Sequence, residues 1–208
     1  MASQDSVKVV LGAGHIGDKI VGSDLDEYVE SFRKHGHVEI DSAATYPIQD
    51  WGVSEKLLGQ KDLDWAQIST KISGMGERAH SREKIQVAIE ASLKSLYGHA
   101  IDIYYFHLPE NVTPLEEQLG AIDEAYRAGK FKRFGISNFS PQQVEDIVAV
   151  AEKHGRYPWM WPMRTSLTST GYVKPSVLQG QFNCLARKGE EELLPLLRKH
   201  GIAYYAYS

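Results

Sequence analysis

Short apolar segments alternate with longer segments of helical period along almost the whole chain, and this alternation limits the possible folds more than any other feature. Such alternation is typical of repeated βα units around a parallel sheet. The sequence therefore predicts an α/β protein in which helices connect successive parallel strands. The predicted strands are residues 7–11, 38–40, 68–71, 101–107, 131–136, 177–182 and 202–207.

The segments between the predicted strands carry the periodicity and the end signals of helices. Residues 24–34 and 81–96 each place apolar side chains along one face. Elsewhere a hydroxyl residue followed by proline predicts a helix start, with the hydroxyl as cap and the proline in the first turn, and glycine predicts a helix end. The predicted starts and end are Thr113 with Pro114, Ser140 with Pro141, and Gly129.

Composition argues against some classes of function. The chain has 208 residues, 42% hydrophobic and 24% charged, which is enough for one domain with a sizeable core. A net charge of −4 with both signs interspersed argues against a nucleic-acid binder, and no apolar run reaches the roughly 20 residues that span a bilayer. The single Cys184 and the absence of an apolar leader predict a cytoplasmic protein. A small-molecule substrate or a protein partner is therefore expected, and the oligomeric state stays open.

A glycine-rich segment follows the first predicted strand. Residues 12–17 read Gly-Ala-Gly-His-Ile-Gly, and the acidic Asp41 follows the next strand. This spacing matches a dinucleotide fingerprint and keeps a Rossmann-type dehydrogenase that uses Gly12 to Gly17 open as a weaker alternative. However, the residues after Gly17 include Gly22 and do not lead directly into a clean helix. A glycine-rich turn is the simpler interpretation.

Polar residues follow four consecutive predicted strands. They are Asp41 with Tyr46 five residues later, Lys71, His107, and the pair Ser137 and Asn138. Each alone is unremarkable, since such residues are commonly caps, rim charges or packing side chains. In a parallel barrel, however, the carboxyl ends of the strands converge on one face, where active sites form. Titratable groups of complementary type at corresponding positions of successive repeats predict one catalytic site.

These segments resemble a known family. The stretches HVEIDSAATY, ISTKI, IDIYYFHLPE, FGISNF and VLQGQFN resemble, in order and spacing, the signature segments of the aldo-keto reductases, above all the aflatoxin-aldehyde reductase branch and its fungal relatives. The resemblance implies a (β/α)8 TIM-type barrel. It also implies a catalytic tetrad, which maps onto Asp41, Tyr46, Lys71 and His107.

The resemblance further implies NADPH as cofactor and a small carbonyl compound as substrate. The family's Ser-Asn pair and sixth-strand Gln hold the nicotinamide carboxamide, and its seventh-strand aromatic residue stacks on the nicotinamide ring. The matching positions are Ser137, Asn138, Gln179 and Tyr207, and Asp41 is counted with them as a cofactor-binding position.

The residue types suit carbonyl reduction. Hydride transfer builds negative charge on the carbonyl oxygen, so the site needs a proton donor and a positive field. Tyr46 is the expected acid; a free tyrosine has a pKa of about 10, and a neighbouring Lys71 ammonium lowers it. Asp41 is expected to pair with Lys71, and His107 to direct the carbonyl oxygen. No metal is expected, because the histidines show no zinc spacing with Cys184.

Two features depart from the family pattern. The chain ends at Ser208, near the predicted seventh strand, whereas a complete barrel has eight strands and about 250 residues. Residues 156–171 carry neither helical nor strand period and predict an insertion. The expectation is one partial barrel domain over residues 1–208, truncated at its C-terminus, that binds NADPH weakly or not at all and has little reductase activity.

A second function class remains open at this point. Proteins that resemble aldo-keto reductases also include channel β-subunits, so a non-catalytic or inactive truncated protein with a binding or regulatory role is the rival hypothesis. The complete set of Asp41, Tyr46, Lys71 and His107 argues for catalysis, and the length argues against it. An NADPH-oxidation assay separates the two.

Overall fold

The computed structural model describes residues 7–153 and 171–208. Within these residues the chain alternates strands and helices, as the sequence predicts. The strands are β1 (Val10–Gly12), β2 (Glu39–Asp41), β3 (Gln67–Ile72), β4 (Ile101–Phe106), β5 (Phe131–Ser137), β6 (Val177–Gln181) and β7 (Ala203–Tyr207). The helices are α1 (Ser23–Lys34), α2 (Val53–Gly59), α3 (Arg82–Ser95), α4 (Leu115–Arg127), α5 (Pro141–Lys153) and α6 (Leu193–His200). Apart from Gly171, the predicted insertion at residues 156–171 lies outside the described residues, so it stays a prediction.

The strands belong to one sheet in which strand order follows chain order from β1 to β7. The pairs β1–β2, β2–β3, β5–β6 and β6–β7 are parallel. Successive parallel strands joined by helices give the topology of a (β/α)8 barrel through its seventh strand, which confirms the predicted fold class. No helix within residues 7–153 and 171–208 combines the length and the apolar character needed to cross a membrane.

The Rossmann-type alternative is wrong. In that fold the strand order reverses around the first strand, whereas here each strand follows its predecessor. The glycine-rich segment also does not open a helix, because α1 begins only at Ser23 and Gly17 adopts a φ of +93°. Residues 13–17 therefore form a turn after β1, in which the N–H of Ala13 donates to the carbonyl of Asp41 at 2.9 Å and that of Gly17 to the carbonyl of Ile20 at 3.0 Å.

The first compact unit contains Met1–Lys71 and Glu90–Asp102. Its strands β1, β2 and β3 pair so that Gly12 lies beside Asp41 and Asp41 lies beside Ser69. All three residues of β2 are buried, as is expected for a parallel strand covered on both faces. This register brings Asp41 to the carboxyl end of the sheet.

The second compact unit contains Ile72–Ile89 and Ile103–Ser208. In its strands β5, β6 and β7, Ser137 lies beside Gln179, and Gln179 lies beside Tyr205. Gly135 of β5 makes room for the ring of Tyr105 of β4, because a Cβ there would lie 2.4 Å from two of its ring carbons. Ser137 ends β5, whereas its neighbour Gln179 lies in the middle of β6.

The predicted helix starts and end can each be compared with the structure. Ser140 begins α5 in a reciprocal capping box: its Oγ accepts from the N–H of Gln143 at 3.3 Å, and Oε1 of Gln143 accepts from the N–H of Ser140 at 2.9 Å. Gly129 follows α4 with a φ of +72°, as its role of helix end predicts. The prediction at Thr113 and Pro114 is wrong in detail. Pro114 is the N-cap itself, and no side chain caps this helix.

Candidate active site

Asp41 and Lys71 form a buried ion pair in the first unit. The Nζ of Lys71 donates to Oδ2 of Asp41 at 2.7 Å and to the carbonyl oxygen of Ser42 at 2.7 Å. The Lys71 side chain is fully buried and that of Asp41 is 11% exposed. Their positions follow from the fold, because Asp41 ends β2 and Lys71 lies one residue before the end of the neighbouring strand β3.

Tyr46 lies in the loop after β2 and brings its ring to the same ammonium. The Nζ of Lys71 is 5.0 Å from the centroid of the Tyr46 ring, within cation–π distance. The carbonyl of Tyr46 accepts from the N–H of Ser54 at 3.1 Å, which fixes the loop against α2. Gly14 lies near this ring, since an added Cβ there would contact it at 4.0 Å.

Burial and charge act in opposite directions on Lys71. Complete burial lowers the pKa of its ammonium, because the charged form loses its hydration. The charge and the hydrogen bond of Asp41 oppose this lowering of the pKa, as does the charge of Glu55, but burial has the larger effect. A buried ammonium of this kind stays charged only where acidic neighbours compensate for its lost hydration.

In the second unit, Asn138 directly follows β5 and connects the other predicted residues. Its Nδ2 donates to the carbonyl oxygen of His107 at 3.1 Å and to Oγ of Ser137 at 3.1 Å. Its Oδ1 accepts from the hydroxyl of Tyr207 at 2.6 Å. Its backbone N–H donates to the backbone carbonyl of Gln179 at 3.0 Å. Its backbone has a φ of +65°, in the left-handed region that asparagine tolerates better than most residues.

The hydrogen-bonding groups of this cluster suit an amide ligand. A carboxamide presents one acceptor oxygen and one NH2 donor. The Ser137 hydroxyl accepts from Asn138 and can itself donate, whereas Oδ1 of Asn138 can accept a second bond. Gln179 is mostly buried and carries both an amide oxygen and an amide nitrogen. The residues present therefore fit the amide of a nicotinamide cofactor.

Metal-binding groups do not occur in the part of the chain that the structure describes: no three His, Cys, Asp or Glu side chains there are placed to hold a metal ion.

A comparison with protein families gives a match over almost the whole chain. The model of the aldo/keto reductase family matches residues 8–208. This chain belongs to the aldo/keto reductase family.

Two curated relatives illustrate the similarity of this aldo/keto reductase. An aldo-keto reductase of Pseudocercospora fijiensis is 33% identical over 188 residues, which cover 86% of this chain and 56% of the relative. Aflatoxin B1 aldehyde reductase member 2 of Mus musculus is 32% identical over 205 residues, which cover 96% of this chain and 51% of the relative. The chain spans about half the length of the curated relatives it matches.

A solved structure agrees on the fold of the aldo/keto reductase chain. The thermostable aldo-keto reductase Tm1743, crystallised with the inhibitor epalrestat, aligns with a TM-score of 0.75 and 25% sequence identity. The alignment covers 99% of this chain and 70% of the solved one.

The residues predicted for the site fall into two groups in this aldo/keto reductase. Within the first unit, Asp41, Tyr46 and Lys71 come together around one ammonium. Within the second unit, the remaining predicted residues come together around Asn138. Those are His107, Ser137, Gln179 and Tyr207. Their catalytic and cofactor-binding roles remain predictions.

Sequence reasoning missed two buried residues of the aldo/keto reductase chain, Ser54 and Glu55, in the first turn of α2. The Oγ of Ser54 lies 3.0 Å from Oγ of Ser42 and donates to the carbonyl of Ala13 at 3.1 Å. Oε1 of Glu55 accepts from the hydroxyl of Thr70 at 2.6 Å. The available signal was weak: a polar pair that Lys56 separates from two leucines in a short helix after the Tyr46 loop.

Proposed function

We propose that this chain provides the proton-donating and substrate-orienting residues of an NADPH-dependent reductase that converts aldehydes or ketones to alcohols. The observation that carries the proposal is the fully buried ammonium of Lys71, which pairs with Asp41 and faces the ring of Tyr46. A cation held beside a phenol is the arrangement that proton donation to a developing alkoxide requires.

Tyr46 is the proposed general acid. As the carbonyl oxygen gains negative charge, the Tyr46 hydroxyl gives its proton to that oxygen, and the Lys71 ammonium stabilises the phenolate that remains. Asp41 keeps Lys71 charged and oriented through their 2.7 Å hydrogen bond. Each of these steps uses a group that the chain itself holds in the first unit.

His107 and the Asn138 cluster have the remaining proposed roles. His107 donates a hydrogen bond that orients the substrate carbonyl, a role that rests on the family resemblance. Ser137, Asn138 and Gln179 bind the carboxamide of the cofactor, and Tyr207 contributes an aromatic face for its ring. Bound NADPH supplies the hydride that reduces the carbonyl carbon.

The proposed substrate class is a carbonyl compound with an apolar body. Two apolar side chains of the loop that carries Tyr46 are solvent-exposed: Ile48 is 78% exposed and Trp51 is 53% exposed. Exposed aromatic and aliphatic groups beside a polar site favour substrates with an apolar surface. The name of the mouse relative, an aflatoxin B1 aldehyde reductase, supports an aldehyde.

The test is an NADPH-oxidation assay on the 208-residue chain with benzaldehyde as substrate, followed by the absorbance of NADPH. We expect oxidation at a low rate that depends on both the chain and the aldehyde, with the alcohol as product. Bound NADPH without turnover, measured by fluorescence titration, would instead support the rival binding role. Absence of both would overturn the proposal for this chain.

A further inference from the structure

Ser54, a buried residue in the first turn of α2, bonds both to the loop of Tyr46 and to the residue that binds Lys71. We propose that Ser54 is a positioning residue, whose hydrogen bonds hold the Lys71 ammonium and the Tyr46 ring at a fixed distance from each other. This inference rests on the proposed function, because it assigns Ser54 to the same proton-donating site. Ser54 acts there through Ser42 and Tyr46, not by contact with substrate or cofactor.

The link to Lys71 is made through Ser42. The Nζ of Lys71 donates to the backbone carbonyl of Ser42 at 2.7 Å, and the Oγ of Ser42 lies 3.0 Å from the Oγ of Ser54. Because Ser54 gives its one hydroxyl proton to the carbonyl of Ala13, Ser42 is the donor between the two hydroxyls. On the backbone, the N–H of Ser42 donates to the carbonyl of Ser69 at 2.8 Å. The residue that binds the ammonium is therefore held by two bonds, and Ser54 accepts one of them.

The link to Tyr46 is made through the backbone. The N–H of Ser54 donates to the carbonyl of Tyr46 at 3.1 Å, and the N–H of Tyr46 donates to the carbonyl of Ala43 at 3.0 Å. Ala43 directly follows Ser42, so one short segment holds both the ammonium and the start of the Tyr46 loop. Ser54 bonds to both ends of this segment, and a displacement of its side chain would change the distance between the two groups.

The glycine-rich turn after β1 supplies the third anchor of Ser54. The hydroxyl of Ser54 donates to the carbonyl of Ala13 at 3.1 Å. In the same turn, a Cβ on Gly17 would lie 2.5 Å from Cγ1 of Val53, so the turn packs directly against the residue before Ser54. The segment whose spacing matches a dinucleotide fingerprint therefore supports the first turn of α2 in this fold.

Burial makes the hydroxyl bonds of Ser54 difficult to replace. Ser42 and Ser54 are both fully buried. A buried polar group that loses its partner stays without a hydrogen bond unless the surrounding segment moves. Without the Ser54 hydroxyl, the Ser42 hydroxyl would lose its acceptor, whereas the Ala13 carbonyl would keep its bond from the N–H of Ile16 at 3.1 Å. We therefore expect the Ser42 segment to shift, and the Lys71 ammonium to shift with it.

The test is an NMR measurement of how close the Lys71 side chain lies to the Tyr46 ring. The 208-residue chain is labelled with 13C and 15N, and the Hε signals of Lys71 are assigned by through-bond correlation to its backbone amide. Protons beside an aromatic ring are shifted by its ring current, and this shift falls steeply with distance. Tyr46→Leu removes the ring, so the difference between each chain and its Tyr46→Leu counterpart is the ring-dependent shift of Lys71.

Two substitutions remove the same hydrogen bond from its two ends. Ser54→Ala removes the accepting hydroxyl and Ser42→Ala removes the donating one, and both keep the Ser42 carbonyl that binds Lys71. We expect each variant to lose about half or more of the ring-dependent shift, and the double variant to lose no more than Ser54→Ala, because the two residues share one bond. Ser54→Cys, a second hydroxyl-free variant of similar size, replaces Ser54→Ala if that chain does not fold.

The matched control is Ser92→Ala in α3, which removes another buried hydroxyl of the first unit. A merely structural serine would lower the free energy of unfolding without changing the distance between Lys71 and Tyr46, so the control should keep its ring-dependent shift. An unchanged shift in Ser54→Ala or in Ser42→Ala would overturn the inference. An equal loss in Ser92→Ala would overturn it as well.

This experiment separates the inference from the proposed function, because it needs neither substrate nor cofactor. Loss of the ring-dependent shift in a chain without reductase activity would support the role of Ser54 and count against the reductase. Reductase activity together with an unchanged shift would do the reverse.

Discussion

The Nζ of Lys71 lies 2.7 Å from Oδ2 of Asp41, and solvent reaches no part of the lysine side chain. Removing one partner of a buried ion pair leaves the other charge uncompensated, which costs far more than losing a surface pair. We therefore expect Asp41→Asn to lower the free energy of unfolding at pH 7 by about 3 kcal/mol, measured by urea denaturation.

The control for that measurement is Asp26→Asn. Asp26 also pairs with a lysine of the first unit, Lys61, but its side chain is 65% exposed. An exposed pair contributes little, so the control should change stability by less than about 1 kcal/mol. Equal losses in the two variants would show that burial of the Lys71 pair has no energetic consequence.

Tyr46→Phe tests the proposed acid, since it removes the hydroxyl and keeps the ring beside Lys71. General acid catalysis contributes about 10²- to 10⁴-fold, so we expect a loss of at least about 100-fold in kcat for aldehyde reduction with NADPH binding unchanged. Tyr28→Phe is the matched control in the same unit, because the Tyr28 hydroxyl bonds only weakly to the Gly12 carbonyl, at 3.3 Å. Wild-type turnover in Tyr46→Phe would assign the proton to another group.

His80 should make the free energy of unfolding fall at mildly acidic pH. It is buried, its ring stacks on Phe106 at 4.0 Å and its Nδ1 lies 3.1 Å from Oε1 of Gln118. Burial lowers the pKa of His80, although the bond to Gln118 and the charge of Glu110 oppose this. Below pH 6.5 the unfolded chain therefore binds a proton that the folded chain resists, and the free energy of unfolding falls as the pH falls.

His80→Gln removes this proton linkage. Between pH 7.5 and 5.5 we expect the wild-type chain to lose about 1 kcal/mol more stability than the variant, measured by urea denaturation at each pH. The acidic groups with lowered pKa values, such as Glu110, lose their contribution only below their ordinary value of 4.5. Parallel pH dependence in the two proteins would contradict the linkage.

Gly59, the last residue of α2, approaches the end of α3 too closely for any side chain. A Cβ there would lie 2.5 Å from the carbonyl oxygen of Ser95 and 2.8 Å from the carbonyl carbon of Leu96, both backbone atoms. We expect Gly59→Ala to reduce the free energy of unfolding by about 2 kcal/mol. Gly120→Ala in α4 is the comparison: its nearest neighbour is 3.4 Å away, and alanine there should be neutral or stabilising in the same denaturation assay.

Strand positions and strand-end chemistry could be predicted from the sequence, because both depend on short-range patterns. The first strand shows the limit of the pattern. Val7 and Val9 are apolar, but they are 91% and 51% exposed, and the strand starts only at Val10. An apolar run indicates only that its residues tend to be buried. Whether they pair as a strand depends on which strand lies beside them in the fold.

The surroundings of Lys71 could be predicted only in part. Its pairing with Asp41 was expected from the chemistry and occurs in the structure. The contacts of Ser54 and Glu55 could not be anticipated, since their partners Ser42, Thr70 and Ala13 come from other strands and loops. Such contacts depend on how α2 packs, which periodicity does not specify.

The complete burial of Lys71 also makes it a chemical reporter. Reagents that acylate amines attack neutral, accessible amino groups, so they modify the exposed lysines of the folded chain first and reach Lys71 only when the surrounding strands separate. The fraction of Lys71 acylated, read by mass spectrometry of peptides, therefore measures how much of a preparation has opened around the ion pair.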